Sequence, residues 1–246
     1  MDLSIGSVVF IGTSFALAGL VKGVIGLGLP TVSMGLLALV VAPAHAAALL
    51  VIPSLVTNVW QMAAGPRLRP LLRRLWTMML AIIVGTWAGG LVLSLSQVAT
   101  TALGVALVVY AAINLLTVEI SVPARTEWWL SPAMGAVTGL ITAGTGVFVI
   151  PAVPYLQALG LARDDLVQAL GLSFTVSTLA LALTLAGQGA FTSDVALGSV
   201  LALAPSILGM IAGQWIRLRI EPATFRICFF AGLLLLGAHL ALRTWF

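Results

Sequence analysis

Between Lys22 and Arg67, and again between Arg74 and Glu119, the chain carries no charged residue. Shorter charge-free runs occupy residues 3–21, 128–162, 166–193, 195–216 and 227–242. These runs constrain the fold more than any other feature. A membrane-crossing helix needs about 20 consecutive apolar residues, and a soluble domain has nowhere to hide so many such stretches. Composition agrees: 61% of the 246 residues are hydrophobic and 7% charged, against about 25% charged in ordinary soluble domains. The sequence therefore predicts an all-α polytopic membrane protein. Its net charge of +4 rests on a few arginines, which are topology signals and not a nucleic-acid surface. Cys228 is the only cysteine, which excludes internal disulfides and thiolate metal sites, and its apolar surroundings predict a packed thiol. The opening Met1-Asp2-Leu3-Ser4 lacks the basic region of a cleavable signal peptide, so the first apolar run is expected to stay as a membrane segment.

Turn signals at Ala42-Pro43 and at residues 94–97 divide the two longest runs. The resulting segments lie near 4–41, 45–64, 72–94, 98–117, 129–160, 165–187, 193–216 and 222–243. The first and fifth are too long for one crossing. Both are interrupted, by "GLVKGVIGLGLP" at 19–30 and "GLITAGTGVFVIP" at 139–151.

The chain also repeats itself. Gly19-Leu20 returns as Gly139-Leu140, Gly26 as Gly146, Leu36 as Leu156 and Leu39 as Leu159, each 120 positions on. The same register pairs Ser54-Leu55-Val56-Thr57 with Phe174-Thr175-Val176-Ser177. With four extra residues, Gly85-x-x-x-Gly89 meets Gly209-x-x-x-Gly213; close helix packing is the plain use of that motif. Two copies follow, 1–120 with a hairpin at 4–41 and helices 45–64, 72–94 and 98–117, and 121–246 with a hairpin at 129–160 and helices 165–187, 193–216 and 222–243. Arg67, Arg69, Arg73 and Arg74 crowd one loop of the first copy, while its counterpart at 188–194 has no Lys or Arg. The next pair reverses: residues 94–97 are uncharged, and the equivalent loop carries Arg217, Arg219 and nearby Arg226. Opposite bias at equivalent loops is expected of an inverted repeat. Inversion needs an odd number of crossings per copy. Two helical hairpins breaking at 22–29 and 143–150 meet that need, each followed by three spans. Arg67, Arg69, Arg73, Arg74, Arg125, Arg163, Arg217 and Arg219 then share the cytoplasmic side, with both termini outside. Eight plain crossings would place Arg163, Arg217 and Arg219 outside.

Two hairpin tips entering from opposite sides would meet near the midplane, where irregular backbone is tolerated only inside protein or around a watery cavity. Gly23, Gly26 and Gly28 at the first tip, and Gly144 and Gly146 at the second, let a ligand approach the main chain. Half-helix N-termini there suit an anion, and Lys22 adds a full positive charge. Thr142 and Thr145 offer hydroxyls at the second tip. Thr57, Asn58 and Gln61 from the first copy, with Ser173, Thr175, Ser177 and Thr178 from the second, complete the candidate set. No carboxylate lies in the apolar interior, which points to a small anion and away from a cation. Each residue also has a plainer reading. Lys22 can snorkel to an interface, and Ser and Thr in membrane helices commonly bond their own backbone. Trp60 suits packing or an interfacial belt better than a cavity wall, and His45 suits a cap or an interface. Arg163-Asp164-Asp165 reads as a helix start, where acidic residues favour the dipole.

At "AGLVKGVIGLGLP" (18–30), "LLVIPSLVTNVWQ" (49–61), "GLITAGTGVFVIPAVPYLQALGL" (139–161) and "VQALGLSFTVSTLAL" (167–181), the sequence resembles the sulfite exporter TauE/SafE family, also called the toluene-sulfonate uptake permease family. The likeness covers nearly the whole chain and both repeats. It implies a secondary carrier of small sulfur-containing anions such as sulfite, sulfonates and sulfoacetate, in the bacterial inner membrane. One departure stands out. Many members have a Gly-x-Gly-Gly second tip, whereas this chain has Gly144-Thr145-Gly146-Val147-Phe148, which leaves the substrate within the family open. The expected partners are a small anion and membrane lipid, with no nucleic acid, and nothing in the residues sets an oligomeric state. No cofactor is expected. No intramembrane Asp or Glu is available as a proton relay, so proton coupling would need His45, Asp164, Asp165 or the substrate itself. An anion channel with the same lining is the competing reading. An intramembrane enzyme has no support, because neither His-Glu-x-x-His nor Gly-x-Ser-x-Gly occurs.

Overall fold

The computed structural model describes residues 5–92, 97–116, 121–219 and 222–242, so most of the uncharged turn expected at 94–97 lies outside the described residues. Every regular element among the described residues is helical. In chain order they are α1 (Ile5–Ile25), α2 (Leu29–Leu37), α3 (Pro43–Ala63), α4 (Leu68–Val92), α5 (Gln97–Leu115), α6 (Glu127–Thr145), α7 (Ala152–Ala158), α8 (Arg163–Gly187), α9 (Ser193–Arg217) and α10 (Pro222–Leu242). α4 starts at Leu68, and Pro70 in its first turn costs no helical hydrogen bond there. Arg69, Arg73 and Arg74 therefore occupy its first two turns.

The two overlong segments are each a long helix, a glycine break and a short helix packed back against the long one. Both breaks are narrower than the sequence suggests, because helix persists through Lys22 and through Thr142. At each end a glycine takes the left-handed conformation, Gly26 at φ 87° and Gly146 at φ 70°. The Gly26 N–H closes on Lys22 O at 2.7 Å and the Gly146 N–H on Thr142 O at 2.8 Å. A residue with a Cβ is disfavoured at such a C-terminal position. The arms are unequal: α1 has 21 residues and α2 nine, about 31 Å against about 14 Å at 1.5 Å per residue.

Glycines set the tightest crossings. A Cβ on Gly19 would lie 2.1 Å from Ser206 O and one on Gly23 would lie 2.2 Å from Met210 O, while Gly209 and Gly213 press in turn on Ala16 O and Leu20 O. Gly135, Gly139 and Gly85 do the same between α6 and α4, against Met78 O, Ile82 O and Ala136 O. Backbone approach of this kind replaces the hydrophobic effect as a driving force between helices in lipid. α1 packs on α9 as α6 packs on α4, α3 packs on α9 as α8 packs on α4, and α3 packs on α8 as α5 packs on α10.

Among the described residues six helices are long and apolar enough to cross a membrane: α1, α3, α4, α8, α9 and α10; the described apolar stretch of α5, Ala99–Leu115, is shorter. The outside of the bundle is a skin of exposed large apolar side chains, among them Trp76, Trp87, Leu91, Leu183, Leu201 and Leu235. Water would not tolerate so much exposed apolar surface, and lipid requires it. The protein is a multi-pass membrane protein. Cys228, expected to be packed, is instead exposed on α10, where a thiol meets lipid at no cost.

Candidate functional site

Lys22 sits one turn before the end of α1. Gly19 and Gly23 press against α9, and the Lys22 side chain leaves the helix at the flank of that contact and reaches α3. It is 5% exposed. The ammonium donates to Thr57 Oγ1 at 3.0 Å and to Asn58 Oδ1. Thr57 can accept because its own hydroxyl proton goes to Pro53 O, 2.8 Å away. Asn58 donates through Nδ2 to Thr178 Oγ1 at 3.4 Å, and Thr178 donates to Phe174 O at 2.7 Å. The chain of bonds thus runs from α1 through α3 to α8. It joins Asn58 to Thr178, the residue 120 positions further on.

Both acceptors of the ammonium are neutral. The described ion pairs are Arg67–Asp165 and Arg74–Glu127, neither of which involves Lys22. A buried charge that keeps hydrogen bonds but lacks a counter-ion is costly and, inside a membrane, marks function. Nearby on the same two helices, the hydroxyls of Ser54, Ser173 and Ser177 are buried without a partner. Ser54 lies one turn before Asn58 on α3, and Ser173 and Ser177 lie one turn apart on α8, with Thr178 following Ser177. Buried polar groups are almost always paired, so three unpaired hydroxyls on the two helices that carry Thr57, Asn58 and Thr178 are donors with capacity to spare.

Other candidate residues go elsewhere. Gln61 donates to Val167 O at 3.0 Å, linking the end of α3 to the start of α8. Thr175 bonds Gly171 O, and Thr142 bonds Thr138 O, each at 2.7 Å. Thr145 donates to Ile141 O and accepts from the Val147 N–H, and Gly144 is half-buried beside it. Gly146 makes its close approach to Met34 of α2 and Ala47 of α3. Gly28, at φ 112°, precedes α2 and packs near Val21 and Phe229. α7 has seven residues, too few for a useful dipole. Trp60 is 72% exposed and faces outward. His45 is exposed on the wall of a cavity between α1, α3 and α9.

Among the buried polar residues that the sequence did not single out, Ser199 and Gln168 bond backbone groups across helices. Ser199 donates to Leu49 O at 2.8 Å and accepts from the Ile52 N–H. Leu49 O is the carbonyl that Pro53, lacking an N–H, leaves free inside α3. Gln168, 1% exposed, binds three backbone groups at the end of α3. The available signals were a proline within an apolar helix and an amide in a charge-free run, each of which demands a partner.

A family model described as sulfite exporter TauE/SafE matches residues 11–240. No curated protein and no solved structure matches the chain.

Proposed function

This chain belongs to the sulfite exporter TauE/SafE family of membrane transporters, and from that premise we propose that it carries a small sulfur-containing anion, of the sulfite, sulfonate or sulfoacetate kind, through a site at Lys22. The uncompensated buried ammonium carries this reading. A monoanionic oxyanion supplies the missing counter-charge, accepts from Nζ and takes up the idle hydroxyls of Ser54, Ser173 and Ser177. Asn58 and Thr57 hold the ammonium in the empty carrier and hand it to the substrate. The glycine breaks at Gly26 and Gly146 shape the surrounding backbone.

Transport then proceeds by alternating access across the bacterial inner membrane. The exchanged helix pairings, α1 with α9 and α6 with α4, support two copies in inverted orientation. The burial of Lys22 supports a carrier over an open channel, since a channel needs a wetted path past the site.

The test is a thermal-shift titration of purified protein with sulfite, sulfate, thiosulfate, sulfoacetate and small carboxylates. A ligand that binds only the folded state raises its melting temperature. Stabilisation by sulfur oxyanions in the wild type and its loss in Lys22→Ala is the expected pattern. An equal shift in the two proteins would overturn the site.

A further inference from the structure

The two ends of the bundle do not make equivalent contacts. On the face that carries Arg67, Arg69, Arg73 and Arg74, the end of α3 is tied to the start of α8. Gln168 Nε2 donates to Met62 O at 2.7 Å and to Gly65 O at 2.6 Å, and Oε1 accepts from the Arg67 N–H at 2.9 Å. These are backbone groups that a helix end leaves unpaired, and Met62 O faces Pro66, which has no N–H to offer. Gln61 adds its bond to Val167 O, and Arg67 meets Asp165 at 3.5 Å. On the same face Arg74 holds Glu127 with two bonds, at 2.6 and 2.9 Å, and Ser131 bonds Tyr155.

At the opposite face the repeat register places Ala48 for Gln168, His45 for Asp165, Ile11 for Ser131 and Gly35 for Tyr155, with Gly198 for Arg74 in the longer register. Apart from His45 these side chains have no polar group with which to repeat the bonds. Among the described residues His45 forms no ion pair. Instead Ile11, His45 and Gly198, together with Asp194, line a cavity of about 150 Å³. A Cβ on Gly65 would sit 2.6 Å from the Gln168 side chain, so the two are in close contact. α6 also packs on α8, without comparable packing of α1 on α3 among the described residues.

We propose that Gln168 is a gating residue, whose three bonds to the end of α3 hold the Lys22 site closed toward the arginine-bearing face. This rests on Lys22 marking the transport site. Rocking of two copies about a central site closes one end as it opens the other. Here the arginine-bearing end carries the Gln168 bonds and the opposite end has no counterpart to them, being held instead by Ser199 on Leu49 O and by Gln188 on Gly90 O. A neutral amide suits the task, because its backbone partners can be rehydrated without stranding a charge.

Accessibility from each face tests this. In a Cys228→Ser background, Ser177→Cys reports on the site, and an impermeant charged thiol reagent is applied to right-side-out and inside-out vesicles. With Gln168 intact, labelling from the arginine face is slow. Gln168→Leu and Gln168→Glu are expected to raise that rate at least tenfold and to slow labelling from the other face. The glutamate keeps the side-chain shape but sets a carboxylate against two carbonyls, so it separates loss of the bonds from loss of packing. A folded Gln168→Glu protein labelled at the parent's rate from the arginine face, or faster from both faces alike, would overturn the gate. No anion is needed for the measurement, so the gate can fail while the thermal-shift response at Lys22 stands. Loss of that response would remove the site itself.

Discussion

At the residue scale, the protein concentrates its electrostatic cost on one atom. Lys22 Nζ is buried against Thr57 and Asn58 without a carboxylate, so its worth lies in binding and not in stability. Lys22→Ala is expected to lower anion affinity at least ~10-fold, about 1.4 kcal/mol, while leaving the ligand-free melting temperature unchanged or higher, since a desolvated charge is removed. Calorimetric titration and thermal unfolding of the same samples check both halves. Asn58 has the opposite signature. Asn58→Leu takes away one of the ammonium's two acceptors and the donor to Thr178, and should destabilise by about 1–3 kcal/mol. Lys22→Met added to it should recover much of that loss, a non-additivity that a double-mutant cycle measures. Lys22 and Asn58 were legible because each violates the apolar pattern. Gln61 shares a helix face with Thr57 and Asn58, so sequence spacing grouped the three; the crossing with α8 instead gives Gln61 to Val167 O.

At the element scale, glycine does two separate jobs. Gly26 and Gly146 end helices by taking positive φ, while Gly19, Gly139 and their partners let helix backbones touch. Gly139→Val drives a side chain into Ile82 O and should lower the melting temperature in detergent by many degrees. Gly232, with nothing within 4 Å, is the control: Gly232→Ala should be neutral or stabilise by about 0.5–1 kcal/mol through helix propensity. If the two variants melted alike, close packing would not be the reason for the recurring Gly-x-x-x-Gly spacing. The Gly-x-x-x-Gly pairs were readable as packing motifs from the sequence. Their partners were not, because nothing in Gly85-x-x-x-Gly89 says that α6 is the helix it receives.

At the scale of the whole molecule, charge-free runs and an exposed apolar skin fix the environment, and arginine placement predicts an orientation. A reporter inserted between α3 and α4 should read cytoplasmic and one fused to the C-terminus extracytoplasmic; a cytoplasmic C-terminus would rule out the inverted arrangement. The sequence by itself determined the lipid environment, the all-helical class, the two glycine interruptions and the family. Those depend on local hydropathy, glycine and proline, and on spacing along the chain, all of which are properties of neighbours in sequence. Only the tertiary structure decided that Lys22 meets Asn58 and Thr178, that Gln168 closes on Met62 O, Gly65 O and the Arg67 N–H, and that the two ends differ. A side chain's partner across a helix interface depends on crossing angle and rotation about each axis, and small shifts in either move it by a whole turn.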